Sequence, residues 1–208
     1  MSQTKINFYF DPGCPWCWNT SRWIKEVQKS RDLSINWKSF SLYIKNKDTM
    51  SEKYLKKSII THRMLRLIEA AREKYGNTVV DDLYTKFGIL VHYKKKTTDK
   101  DIKDVLSTTY DTKYLLSTLD DNSWDKNILN SMQDAFDIVG NDIGTPIITF
   151  KSNKKEVGYF GPIITKVPIG RKALLLWDNF SGLCQYEDFY EIKRTRKENP
   201  HLPDIVSY

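Results

Sequence analysis

Asp11-Pro12-Gly13-Cys14-Pro15-Trp16-Cys17-Trp18 is the stretch from which the rest of the chain is read. It follows an alternation of apolar residues at Ile6, Phe8 and Phe10 and opens a helical run, so the local order is strand, turn, thiol pair, helix. Proline is favoured at the first position of a helix, which puts the helix start near Pro15, Cys14 at its N-terminus and Cys17 one turn further on. Residues three apart share a helix face, and that separation is within the reach of a disulfide. The unpaired N–H groups and the positive end of the dipole at such a terminus favour a thiolate over a thiol. Cys14 is therefore expected to be the nucleophile, and Cys17 the thiol that resolves its adducts.

A Cys-x-x-Cys pair is also half of a structural zinc site, which needs two further ligands at recognisable spacing. None is visible. Cys184 stands alone, and His62, His92 and His201 are far apart in sequence, so no metal is expected. Pro15 and Trp16 between the cysteines suit a stiff, partly apolar redox turn, whereas a zinc knuckle usually has turn-forming residues there.

At 208 residues the chain can bury one sizeable core or a small domain carrying an insertion. Hydrophobic residues make up 40% and charged residues 28%, the balance of a folded globular protein rather than a disordered one. No apolar run approaches the roughly 18 residues of a membrane span, so no membrane partner is expected. The residues before Ile6 lead straight into the first strand, leaving no room for a signal peptide's apolar region. A cytoplasmic location follows as the expectation, and in that compartment a thiol pair is catalytic more often than structural. The formal charge of +7 comes from lysines spread along the whole chain, without a nucleic-acid module, and is read as a solvated surface with no nucleic-acid partner.

Leu33, Ile35, Trp37 and Phe40 indicate a second strand, giving a βαβ unit whose right-handed crossover makes the strands parallel. From about Ser51 the period becomes helical. The stripes are Leu55 to Ala71 ending at Gly76, then Val80 to Leu90, then Ile102 to Leu106, then Ile128 to Val139 closed by Gly140. Core packing accounts for nearly all of them. The β pattern returns at Ile147 to Phe150, with a turn expected at Ser152-Asn153 and a second run from Val157 to Phe160. A final helix from about Pro168 precedes a basic tail, Lys193-Arg194-Thr195-Arg196-Lys197, expected to fray. The class is α/β, with a helical segment inserted between two β-rich parts.

Cys14-Pro15-Trp16-Cys17, the helical insertion and Gly144-Thr145-Pro146 together resemble the DsbA-like branch of the thioredoxin superfamily. More closely, Asp11-Pro12 through Trp23, Gly161-Pro162 with Pro168, Leu176-Trp177-Asp178, and Phe189 through Arg196 resemble the actinobacterial mycothiol-dependent reductases, known for nitro-drug activation. The resemblance implies a thioredoxin-like fold, residues 1–48 and 141–208, with a large inserted all-helical subdomain, residues 49–140, as a lid. It implies a cytoplasmic, often homodimeric enzyme with no bound cofactor, recycled by a low-molecular-weight thiol or a redoxin and acting on a disulfide or a small electrophile. Carried over by position, Cys14 and Cys17 match the attacking and resolving cysteines, Pro15 lies between them, and Trp16 and Trp18 match the aromatic wall. Thr145-Pro146 matches the cis-proline loop that faces the thiols, although alone Pro146 also reads as an edge proline. His92 matches a pocket histidine, against the plainer reading of a cap or surface histidine. After it the chain departs from the family and reads Tyr93-Lys94-Lys95-Lys96, a run expected to steer anionic thiols if it borders the pocket.

Cys184, among Leu183 and aromatic neighbours, reads as a small buried hydrophobe rather than a regulatory thiol. Two other function classes share parts of this pattern. One is a kappa-type glutathione transferase or 2-hydroxychromene-2-carboxylate isomerase, whose relatives normally carry serine and no resolving thiol. The other is a redox-responsive binding module, in which the thiols only report oxidation.

Overall fold

The structure, a computed structural model, describes residues 3–106, 110–150, 156–186 and 188–205. Strand β1 (Thr4–Phe10) leads into helix α1 (Pro15–Gln28) and strand β2 (Leu33–Ser39), which pairs with β1 in parallel from Thr4↔Leu33 to Phe10↔Ser39. Strands β3 (Ile147–Phe150) and β4 (Val157–Phe160) complete one sheet in the order β2-β1-β3-β4, with β3 antiparallel to both its neighbours. The turn expected at Ser152-Asn153 lies outside the described residues.

Every residue of β1 from Ile6 to Phe10 is buried, because both faces of the strand are covered. On one face Phe8 and Phe10 meet Trp37 at ring separations of 5.1 and 6.1 Å, and Phe10 meets Tyr84 at 4.2 Å. Helix α8 (Arg171–Leu183) lies there beside α1: Trp23 is 6.0 Å from Trp177 and donates its indole N–H to the Ala173 carbonyl at 3.0 Å. On the other face Asn7 and Tyr9 look towards helix α7 (Asp125–Val139). Polar residues are tolerated beneath that helix because they bond to one another: Asn7 donates to Thr149 at 2.9 Å and accepts from Asn36 at 2.7 Å.

Between β2 and α7 come α2 (Leu42–Asn46), α3 (Glu52–Tyr75), α4 (Thr78–Gly88), a π-helical turn (Ile89–Lys94), α5 (Asp99–Leu106) and α6 (Thr112–Ser117). The helical stripes read from the sequence fall on α3, α4, α5 and α7. Neither α2 nor α6 was expected; at five and six residues they are too short for a periodic stripe. Helix α7, assigned from the sequence to the insertion, packs on α3, where Arg66 pairs with Asp125 at 2.6 Å, and also covers the sheet: Phe136 meets Phe40 at 5.6 Å, and Lys38 pairs with Asp134 at 3.0 Å. Its apolar stripe is the same whether it packs on helices or on strands, so periodicity alone could not place it.

The C-terminal tail is anchored at points the sequence did not indicate. Residues 188–205 form no helix or strand; Lys193 to Lys197, the run expected to fray, is exposed, and the chain beyond it is tied down. Asn19 donates to the carbonyls of Thr165 (2.9 Å) and His201 (3.1 Å), the His201 N–H donates to Thr165 (2.8 Å), and the Tyr93 hydroxyl donates to Pro203 (2.6 Å). Backbone carbonyls supply most of these partners, so the basic side chains that suggested a solvated tail carry no signal of the anchoring.

Gly88 shows how closely the insertion approaches α1. A Cβ there would lie 2.1 Å from Cζ3 of Trp18, so only glycine lets the last turn of α4 meet the indole. Gly182 in α8 has open space around the same position. Gly88→Ala is expected to lose about 1–3 kcal/mol by overpacking, although alanine is the better helix former, while Gly182→Ala gains up to about 1 kcal/mol. Urea midpoints of the two variants check this, and a neutral Gly88→Ala would mean that the α1–α4 contact is loose.

Candidate active site

Cys14 is the N-cap of α1, with extended backbone dihedrals, and Pro15 occupies the first helical position. Its sulfur accepts the Cys17 N–H at 3.4 Å, doing for the third residue of the helix what a serine oxygen usually does. Across the sulfur, 3.6 Å away, lies the carbonyl of Thr145, and the Thr145–Pro146 peptide is cis. Cys17 is fully buried, its sulfur 3.8 Å from the Tyr9 carbonyl, whereas Cys14 keeps 5% exposure. The two thiols are thereby made unequal. The hydrogen bond from the Cys17 thiol, helped by the Cys17 N–H, holds Cys14 below the usual thiol range against the opposing effects of burial and the Asp11 charge. Burial, and then the neighbouring Cys14, push Cys17 well above it.

Asp11, read from the sequence only as part of the family pattern, is a buried carboxyl that fixes the loop. It accepts from the N–H groups of Gly13 at 2.7 Å and Leu42 at 2.8 Å, and burial raises its pKa to about 6. Thr61 of α3 bonds to it as well and sits where a Gly13 side chain would go, 2.9 Å from an added Cβ. The insertion thus touches the thiol loop directly.

His92 lies in the π-helical turn, bonded to the Pro12 carbonyl and 5.8 Å from Trp18, with its pKa lowered to about 4 by burial. Its Nε2 is buried and has no partner among the described residues. π-Helical turns are recurrent at functional sites, and no signal in a single sequence marks one. Lys94, Lys95 and Lys96 follow as exposed residues. Trp18 is fully buried, donating to the Tyr93 hydroxyl at 2.9 Å under the Arg22 guanidinium at 4.2 Å, so it backs the wall rather than facing solvent. Trp16 is half-buried, with Arg196 5.4 Å from its ring. Cys184 is buried at the end of α8, its thiol raised to about 12 by burial alone, which suits a packing residue. The cis Gly161–Pro162 peptide went unread in the sequence as backbone geometry; the Pro162 carbonyl accepts from Thr20 at 2.8 Å.

Ser41, His62 and Asp125 form a chain of contacts of 3.0 Å each that looks like a hydrolytic triad. Ser41 is fully buried and its oxygen already caps α2, accepting from Ile44, so the chain is a strap from the start of α2 through α3 to α7. Among the described residues no group of three or more His, Cys, Asp or Glu side chains could hold a metal, and no helix is long and apolar enough to cross a membrane.

The geometry fixes the sign of two substitutions. Cys17→Ala removes the main donor to the Cys14 sulfur and should move the inflection of Cys14 alkylation to higher pH. Asp11→Asn removes a like charge and should move it to lower pH. The alkylation rate against pH reads both, and shifts of one sign in both variants would contradict the assigned causes.

A relative from Mycobacterium tuberculosis, the uncharacterized protein Rv2286c, is 25% identical over 196 residues, covering 93% of this chain and 83% of its own. The probable DsbA oxidoreductase SCO1869 from Streptomyces coelicolor superposes with a TM-score of 0.60 at 14% identity, over 94% of this chain and 95% of its own. The cytosolic disulfide reductase DsbM from Pseudomonas aeruginosa gives 0.57 at 9% identity, over 86% and 99%, and has also been solved with GSH. The fold is therefore the DsbA-like thioredoxin fold. Residues 13–194, from the glycine before Cys14 to the start of the basic tail, match the model of the Rv2466c-like family, described by its mycothiol-dependent nitroreductase Rv2466c, and the chain belongs to that family.

Proposed function

We propose that the protein is a cytoplasmic thiol-disulfide oxidoreductase working in the reductive direction through Cys14 and Cys17. The observation that carries the thiol chemistry and the two roles is the inequality of two sulfurs one helical turn apart, one held below the usual thiol range and the other well above it, while the reductive direction rests on the family match. The Cys14 thiolate attacks a substrate disulfide, forming a mixed disulfide and expelling one half as a thiolate that takes a proton from solvent. Cys17 then gives up its proton and attacks the Cys14 sulfur, releasing the second half and leaving the internal disulfide. Two electrons and two protons pass to the substrate. The same two electrons and two protons convert a nitro group to a nitroso group and water, which brings the family's nitro compounds within the chemistry of the pair.

The internal disulfide returns to the dithiol when one low-molecular-weight thiol attacks Cys14 and a second attacks the resulting mixed disulfide, leaving as the oxidised dimer of that thiol. The solved GSH form of DsbM supports a small thiol as co-substrate in a cytosolic enzyme of this fold. In this reading Pro15 fixes the helix start, the Thr145 carbonyl and Pro146 take the substrate opposite Cys14, and Trp16 forms the open wall with Trp18 behind it. The neutral His92 ring offers Nε2 to the substrate.

The two cysteines should fail differently. Cys17→Ser keeps the nucleophile but cannot resolve, so after incubation with a disulfide substrate it should carry an adduct mass that disappears with reductant. Cys14→Ser should carry little, because its remaining thiol is fully buried and strongly protonated. Intact mass spectrometry reads both, and trapping by Cys14→Ser instead would reverse the roles assigned here.

A further inference from the structure

The C-terminal segment builds one side of a cleft beside the thiol motif. About 410 Å³ lie between Trp16 and residues 196–199, lined by Trp16, Arg196, Lys197, Glu198 and Asn199. Trp16 is the residue between the two cysteines, so the cleft opens against the loop that carries the nucleophile. Its far wall is set by the hydrogen bonds of His201 and Pro203 to Thr165, Asn19 and Tyr93. Arg196 lies over the Trp16 ring at 5.4 Å, and neither it nor Lys197 pairs with a carboxylate among the described residues. The carboxylate present, Glu198, is turned to His201 at 3.7 Å. Arg196 and Lys197, ion-paired with no carboxylate among the described residues, thus flank an aromatic surface two residues from Cys14, with Glu198 beside them, an arrangement suited to a ligand with an anionic end and a sulfur.

We propose that this cleft seats a carboxylate-bearing low-molecular-weight thiol, its anionic end on Arg196 and Lys197 and its sulfur towards Cys14. The inference rests on the recycling reading above and goes beyond it by naming the class of thiol. Mycothiol, named in the family's description, carries no carboxylate, so this chain differs from that description in the charge of its co-substrate. In the step concerned, the anionic thiolate attacks Cys14 Sγ of the internal disulfide, Cys17 leaves as a thiolate and is protonated, and a second thiol frees Cys14 as the dithiol forms.

The test is reduction of the oxidised full-length protein by N-acetylcysteine and by its neutral amide, with rates normalised to thiolate concentration. Wild type should favour the acid roughly fivefold at low salt, and the preference should collapse near 1 M salt, where the Debye length is about 3 Å. Arg196→Glu with Lys197→Glu should abolish or invert it. Lys103→Glu with Lys113→Glu, exposed on α5 and α6 and matched in net charge, should keep it. Circular dichroism establishes that each variant is folded. Equal rates for acid and amide in wild type, or equal collapse in both double variants, would overturn the seat while leaving recycling by thiols intact. If neither thiol opens the disulfide, the recycling reading falls and the inference with it.

Discussion

The hydrogen bond from the Cys17 N–H to the Cys14 sulfur holds the site together, because it makes one atom both the cap of α1 and the proposed nucleophile. A cap acceptor gains from negative charge at a helix N-terminus, so the structure that starts the helix also favours the thiolate. The same bond orders the two cysteines, since Cys17, as the donor one turn in, lies beneath Cys14 and away from solvent. A charge stabilised in this way stabilises the reduced form as well. The pair is therefore easily returned to the dithiol, and the reductive cycle proposed above would draw on a steady supply of thiol from outside.

The rest of the structure keeps that sulfur in a dry, shaped place. Asp11 clamps the loop through two backbone N–H groups, and α3 closes on it through Thr61. Gly88 lets α4 rest on Trp18, and the tail, bonded to Asn19 and Tyr93, covers the flank beside Trp16. The buried Asp11 carboxyl raises the Cys14 pKa while the cap lowers it, so the loop that fixes the nucleophile also tempers its acidity.

Much of this was legible in the sequence because local chemistry wrote it there. The strand–Cys–Pro–helix order needed only the alternation at Ile6, Phe8 and Phe10 and a proline at the first helical position. The stripes of α3, α4 and α5 needed only their period. What stayed unread depends on contacts distant in the chain. The placement of α7 on the sheet, the partners of Asp11 and the π-helical turn holding His92 are set by what packs against them. The anchoring of the tail at His201 and Pro203 went unread because it is made through backbone carbonyls, to which any residue contributes equally. Trp18 carried a strong aromatic signal but no information on which way it faced, and its burial follows from a glycine seventy residues away.

The central claim is that the two thiols of the reduced, unmodified protein titrate far apart and in the order Cys14 before Cys17. Selective ¹³Cβ labelling of cysteine, with the chemical shifts followed against pH by NMR, measures this without substituting either residue. The account predicts that Cys14 ionises below the usual thiol range while Cys17 and Cys184 remain protonated through neutral pH. Ionisation of Cys17 first, or of both near the ordinary value, would contradict it.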